Sequence, residues 1–404
     1  MVSIKSLLVW AAAVLPFVAA VPVDHPGFLK IRALEDTAEV IPGKYIVVFE
    51  PSVSAEVVAA HEESLVKMRK RDIIADVENT YSVEDFKGYS ISTDEATIAE
   101  IAASPEVAFV EPDQMMYTSA LRTQTGATWG LGRISHRAPG TTTYIYDSTA
   151  GAGTRVYVVD TGIRTTHSQF GGRAIAGANF ITTESATDGN GHGTHCAGTI
   201  GGSTYGVAKA ATIVAVKVLS SSGSGSNSGV IAGMNWVASN AQSLGVSRKS
   251  VMSMSLGGGY SAATNNAVNA VYNSGVTVVV AAGNENQLAS NVSPASAALA
   301  ITVGSIGQTD ARSSFSNYGA AVDVFAPGAG VLSSYATSDT ATATLSGTSM
   351  ACPHVAGLAA YLIGLEGLAS PAAVTSRIKA LATTGRVTDL QGSPNLIAYN
   401  GNGA

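Results

Sequence analysis

The chain has 404 residues, of which 46% are hydrophobic and 13% charged, with 43 glycines, 2 cysteines and a formal net charge of −6. It is long enough for more than one domain and apolar enough for a large core, which excludes a disordered chain. Its longest basic run is Arg69-Lys-Arg71, which excludes a nucleic-acid binder.

Residues 1–20 carry Lys5, an apolar run from Leu7 to Val18 and the small residues Ala19 and Ala20. This reads as a secretory signal peptide, since the run is short for a membrane span. No later stretch is long and apolar enough to cross a membrane. A secreted, extracellular monomer with neither a membrane nor a nucleic-acid partner is expected.

Residues 21–41 read as a polar leader. Residues 42–119 predict a small α+β unit: a strand over 44–49, a helix over 55–68, a strand over 86–92, a helix over 94–103 capped by Asp94, and a strand over 107–110. An extended tail then runs to Ser119. Residues 120–404 alternate strand and helix. Strands are predicted at 155–160, 212–219, 250–255, 276–281 and 299–303. Helices are predicted at 192–201, 228–243, 262–274, 349–365 and 371–382. Such alternation implies a parallel sheet covered by helices on both faces. The two pieces differ in charge. Residues 21–119 hold 19 acidic and 8 basic side chains, and residues 120–404 hold 10 and 14, so opposite charge favours their docking.

Three stretches concentrate the chemistry. Arg155-Val-Tyr-Val-Val-Asp-Thr-Gly162 is an apolar strand ending on Asp160, where α/β sheets bind ligands. Asp188-Gly-Asn-Gly-His-Gly-Thr-His-Cys-Ala-Gly198 opens a helix on His192, with Asp188 as a turn or cap residue. Leu345-Ser-Gly-Thr-Ser-Met-Ala-Cys-Pro-His-Val-Ala-Gly357 puts Ser349 just before Pro353. Proline is tolerated in the first helical turn and costly deeper in, so Ser349 is expected at a helix N-terminus. The helix dipole there favours a developing oxyanion. The chain order Asp160, His192, Ser349 is that of subtilisin and differs from that of chymotrypsin and the α/β-hydrolases.

Asp-Thr-Gly, His-Gly-Thr-His and Gly-Thr-Ser-Met-Ala together resemble the three signatures of subtilisin-like serine proteases, in their proteinase K branch. The resemblance covers nearly all of residues 120–404, including Gly206-Val-Ala-Lys209 and Ser313-Ser-Phe-Ser-Asn-Tyr-Gly319. It implies a three-layer subtilisin-like α/β fold with a mostly parallel sheet. Residues 42–119 are similar to that family's inhibitor-type propeptide, a small ferredoxin-like α+β domain, which implies a zymogen cut at Ser119/Ala120 and inhibited by its own propeptide. It further implies a secreted endopeptidase, acting on proteins and peptides through an acyl-enzyme and needing no catalytic cofactor. Ser349 is then the nucleophile, His192 the base, Asp160 its orienter and Asn284 the oxyanion amide. Gly223, Ser224 and Gly225, with Ser255, Leu256 and Gly257, would flank the peptide, and Ala281 and Gly283 would sit near the first specificity pocket. These small linings imply broad specificity with an apolar or aromatic bias.

By the same resemblance, a structural calcium would rest on Asp323 and the backbone oxygens of Ala298 and Ala300, and Cys196 would be a free cysteine, while Cys352 stands where the family more commonly has threonine. An even cysteine count in a secreted chain invites a disulfide, and the sequence leaves a Cys196–Cys352 bridge open, with two buried free thiols as the favoured expectation. Asn291-Val-Ser293 is an N-glycosylation sequon in a secreted chain. Two rival readings share these residues. His192, His195, Cys196, Cys352 and His354 would suit a metal cluster, leaving Asp160 and Asn284 without a role. A catalytically silent relative that only binds peptides would leave the triad without one.

Overall fold

The computed structural model divides the chain into two units, Met1–Tyr117 and Thr118–Ala404. The structure describes residues 30–31, 40–69, 75–115 and 121–403. The signal segment 1–20, most of the leader, the tail over 116–119 and the Ser119/Ala120 bond lie outside the described residues.

In the first unit the elements run β1 (Val40–Phe49), α1 (Ala55–Arg69), β2 (Ala75–Val83), β3 (Phe86–Thr93), α2 (Glu95–Ala102) and β4 (Val107–Gln114). The strands pair antiparallel in the order β2-β3-β1-β4, the ferredoxin-like arrangement. The inward residues of β1, β3 and β4, such as Val47, Phe49, Tyr89, Ile91 and Val110, pack on Ile98 and Ile101 of α2. Asp94 caps α2 as expected, accepting from the Thr97 N–H at 2.7 Å. Strand β2 was not foreseen. It is exposed along most of its length, and polar residues such as Glu78 and Asn79 hide the alternation of a half-buried strand.

The second unit begins with β5 (Leu121–Gln124), α3 (Trp129–Ser135), β6 (Tyr144–Asp147), β7 (Arg155–Asp160), β8 (Ala174–Asn179), α4 (His192–Gly201) and β9 (Thr212–Lys217). It continues with α5 (Asn227–Ser243), β10 (Ser250–Met254), β11 (Gly258–Gly259), α6 (Ala262–Asn273), β12 (Thr277–Ala281), β13 (Val292–Ser293) and β14 (Ile301–Ile306). It closes with β15 (Val324–Pro327), β16 (Val331–Ser334), β17 (Thr342–Leu345), α7 (Thr348–Glu366), α8 (Pro371–Leu381), β18 (Thr383–Thr384) and β19 (Leu396–Ile397).

Nine strands form one sheet in the order β18-β19-β15-β14-β12-β10-β7-β9-β8, parallel except for the β18–β19 edge. Successive side chains of a strand point to opposite faces, and here both faces are dry. Val156, Val158, Ile213, Val251 and Val279 pack under α4 and α7, while Tyr157, Val159, Val214, Met252 and Val278 pack under α5 and α6. That double burial makes the strand segments nearly continuous apolar runs, and it gives the three-layer α/β fold. The 19-residue α7 is long and apolar enough to cross a membrane, but 83% of its apolar stretch is buried inside the protein. Strand order runs outward from β7, with β9 on one side and β10 on the other. The C-terminal end of β7 is therefore a topological switch point, where open α/β sheets leave a crevice.

Candidate active site

Asp160 ends β7 at this crevice and is fully buried. His192 is the first residue of α4, and the local sequence explains its placement. The buried Asp188 carboxylate accepts from the N–H groups of Asn190, Gly191 and Thr194 and from the hydroxyls of Thr161 and Thr194. One side chain thus caps α4 and ties it to the turn after Asp160. Gly193 admits the close approach: a β-carbon there would lie 2.2 Å from the Gly162 carbonyl oxygen. The His192 Nδ1–H then faces both Asp160 oxygens, at 2.8 and 3.0 Å.

This pairing sets the imidazole's basicity. Burial is the largest single influence on it and pulls its pKa down. The Asp160 carboxylate, by charge and by hydrogen bond, and then Asp188 outweigh it, leaving His192 above its usual 6.5. The other two histidines of the neighbourhood behave oppositely. Burial lowers both His195 and His354 to about 4. His195 Nε2 donates to the Val331 and Ala343 carbonyls and His354 Nδ1 to the Met350 carbonyl, so neither faces the cleft as a base.

Ser349 lies in the first turn of α7, half-buried, as expected. Pro353 does not: it sits in the second turn of the helix. Its missing N–H leaves the Ser349 carbonyl without its helical donor. The Ser255 hydroxyl (2.9 Å) and the Cys196 thiol (3.4 Å) fill that vacancy, and the Ser349 hydroxyl in turn donates to the Ser255 carbonyl at 3.1 Å. The proline is tolerated because its orphaned acceptor stitches α7 to α4 and to the end of β10.

Asn284 follows β12. Its Oδ1 accepts from the Thr348 N–H at 2.7 Å and the Thr348 hydroxyl at 3.0 Å, which identifies the amide's oxygen end and leaves Nδ2 as the free donor. A β-carbon on Gly347 would lie 3.6 Å from the Ser349 nitrogen and 3.7 Å from Asn284 Nδ2. The two N–H groups therefore border one small volume.

A cleft of about 470 Å³ collects these groups. His192, Ser349 and Asn284 line it, as do all eight expected substrate-binding residues: Gly223, Ser224 and Gly225 on one side, Ser255, Leu256 and Gly257 on the other, with Ala281 and Gly283. Asp160 stays behind His192, out of contact with the cleft. The sequence reading missed Leu219, Val230 and Thr264, whose side chains reach the cleft from beside the glycine segments, and Glu285, which follows Asn284 directly. The 220–225 wall is braced from below. Lys217, fully buried, donates to the Thr161 and Leu219 carbonyls at 2.8 Å each and pairs with Glu184 at 3.1 Å. The Glu184 carboxylate accepts from the Ser221 N–H and hydroxyl, which hold its pKa below the ordinary range.

Cys196 and Cys352 are buried free thiols, as expected. Burial pushes the Cys196 pKa well up and that of Cys352 to about 11, so both stay protonated. Among the described residues, metal-ligand atoms of Asp160, His192 and Cys196 lie within 4.8 Å of one another. This grouping coincides with the Asp160–His192 pair, and its cysteine is a thiol donating to Ser349. His195, Cys352 and His354 take no part in it, so the metal-cluster reading has no five-residue site.

At the expected calcium site the Asp323 carboxylate already has partners. Lys379 Nζ of α8 lies 2.6 Å from Asp323 Oδ1, and Asp323 Oδ2 accepts from the Thr302 N–H at 2.8 Å. Calcium gathers 6–8 oxygens, whereas this carboxylate already faces an ammonium. Ala298, Ala300 and Asp323 as arranged do not fit the ion. The calcium-dependent part of Tm should therefore be the same in Asp323→Asn as in the unaltered protein. Loss of that part in the variant would restore the calcium reading.

Comparison with known proteins follows the same division. The Subtilase family model matches residues 151–401, and the Peptidase inhibitor I9 model matches residues 44–119. The chain is 56% identical over 402 residues to Subtilisin-like protease 2 of Pseudogymnoascus destructans, covering 99% of each. It is 48% identical to Alkaline protease 1 of Aspergillus clavatus, covering 99% of this chain and 100% of that one. It is 54% identical to a cuticle-degrading serine protease of Arthrobotrys oligospora, covering 90% of this chain and 92% of that one. A crystal structure of a cold-adapted subtilisin-like serine proteinase, 46% identical, superposes with a TM-score of 0.65 over 68% of this chain and 99% of that one.

Proposed function

Because the chain belongs to the subtilase family, we propose that Ser349, His192, Asp160 and Asn284 carry out its peptide-bond hydrolysis, each in a distinct role. The protein is a subtilisin-like serine endopeptidase made with an I9-type inhibitory propeptide. The substrate backbone enters as an added strand between Gly223–Gly225 and Ser255–Gly257. The Ser349 hydroxyl releases the Ser255 carbonyl, gives its proton to His192 Nε2, and its oxygen attacks the scissile carbonyl carbon. The carbonyl oxygen takes the negative charge between the Ser349 N–H and Asn284 Nδ2. His192 returns the proton to the departing amine as the C–N bond breaks, leaving an acyl ester on Ser349. A water, deprotonated by His192, repeats the sequence and frees the acid product. Asp160 holds the imidazole with its proton on Nδ1 and stabilises the imidazolium.

The single observation that carries this reading is the two-oxygen contact of a fully buried carboxylate with the one histidine of the neighbourhood that faces the cleft. It predicts the pH dependence. His192 must be neutral to act as a base, and its pKa is raised, so kcat/KM should fall as pH drops through a midpoint above 6.5. An acid limb centred well below that value would count against His192 as the base.

The remaining assignments belong to the same proposal. Residues 1–20 are removed as a signal peptide, and 21–119 as a propeptide at the Ser119/Ala120 bond, with its inhibitor-like domain at 42–119. Residues 120–404 then act outside the cell as a monomer. Small cleft linings such as Gly225, Gly257 and Ala281 favour broad specificity with an apolar or aromatic bias. Asn291 is exposed and open to glycosylation.

A further inference from the structure

Asn317 lies between β14 and β15, far in sequence from every residue given a role so far, and is fully buried. Its side chain is saturated by one turn. Nδ2 donates to the Ala282 carbonyl at 2.9 Å and to Glu285 Oε2 at 2.7 Å. Oδ1 accepts from the N–H groups of Glu285 at 3.1 Å and Gln287 at 3.0 Å. Its own N–H donates to the Gly283 carbonyl at 3.0 Å. Glu285 Oε2, held by Asn317, also accepts from the Asn284 N–H at 3.0 Å. Backbone groups on both sides of Asn284 are thus bound directly by Asn317, and that of Asn284 itself through one carboxylate. The turn is shaped to receive it. Gly283 has φ of +101°, and a β-carbon there would lie 2.2 Å from Asn317 Nδ2.

We propose that Asn317 is a positioning residue for the oxyanion site: it fixes the 282–287 turn so that Asn284 Nδ2 is set before substrate arrives. Asn317 does not line the cleft and acts only through Asn284. Preset donors stabilise a developing charge because they need not reorganise as it forms, and a displacement of about 1 Å can cost about 10²-fold in rate. The proposal rests on the oxyanion role assigned to Asn284 above.

The test is a double-mutant cycle on the mature enzyme, with Asn284→Ala and two changes at Asn317. Asn317→Ala removes the whole side chain. Asn317→Asp keeps its size and its acceptor and turns the donor into a carboxylate oxygen facing the Ala282 carbonyl and Glu285 Oε2, which opens the turn without emptying the space and covers the case in which the alanine variant fails to fold. Either change should lower kcat by about 10- to 100-fold with KM within about twofold. A peptide aldehyde, which forms a tetrahedral adduct on the enzyme, should lose affinity by the same factor, while a product peptide keeps its affinity. In the Asn284→Ala background the Asn317 changes should cost no more than about twofold, because coupled residues are not additive. A full additive loss in that background, or a change confined to KM, overturns the proposal while leaving the oxyanion reading intact. An Asn284→Ala enzyme with undiminished kcat overturns both.

Discussion

Ser349→Ala is expected to lower kcat by about 10⁶-fold, the size of loss that deleting the nucleophile causes in a subtilisin. Folding should survive the change. The Ser349 hydroxyl gives up one hydrogen bond to the Ser255 carbonyl, a loss on the order of 1 kcal/mol. The reciprocal bond from the Ser255 hydroxyl to the Ser349 carbonyl uses only backbone on the Ser349 side and remains. Affinity for peptides should also remain, since the Gly223–Gly225 and Ser255–Gly257 walls are untouched. A variant that keeps more than a trace of proteolysis would place the nucleophile elsewhere. A variant that loses binding as well would show that the serine acts in ground-state recognition.

Asp160→Asn should lower kcat by about 10⁴-fold while KM changes little. Asp160 sits behind His192 and makes no contact with the cleft, so substrate binding has no direct stake in it. The neutral amide would still fill the space and could still accept from the Thr161 N–H, as Oδ1 does at 2.7 Å. It would fail in two other respects. Its amide N–H, pointed at the imidazole, would favour the tautomer protonated on Nε2, which cannot take the serine's proton. Its lack of charge would also stop raising the His192 pKa, so the acid limb of the residual activity should move to lower pH. Activity within tenfold of the unaltered enzyme, or an unmoved acid limb, would contradict the role given to Asp160.

Much of this site could be read from local spacing. The His192 helix was predicted with its observed bounds, because Asp188 and the glycines around it leave one place for the chain to turn into a helix. Strands β7, β10 and β12 announced themselves because both their faces are buried. What stayed hidden depends on contacts between distant segments. The sequence shows Pro353 near Ser349, but not that Ser255 and Cys196 would supply the donors that let the proline sit in the second turn. Asp323 matched a calcium ligand in its own segment, yet its partner Lys379 comes from a helix much further along the chain. Asn317 lay inside a recognised stretch, but its role depends on a turn that it meets only in the folded protein. Strand β8 was missed because Ala174–Asn179 is built of alanine and glycine around Ile175 and carries no β-branched run.

The central claim is that three separated segments make Ser349 a nucleophile activated by His192. The most direct measurement is to react the mature protein with an organophosphate serine reagent and locate the adduct by mass spectrometry. One equivalent should attach at Ser349 as activity is lost, His192→Ala should abolish the labelling, and zinc chelators should change nothing. Labelling at another residue, or proteolysis that outlasts complete labelling and yields to a chelator, would contradict the account.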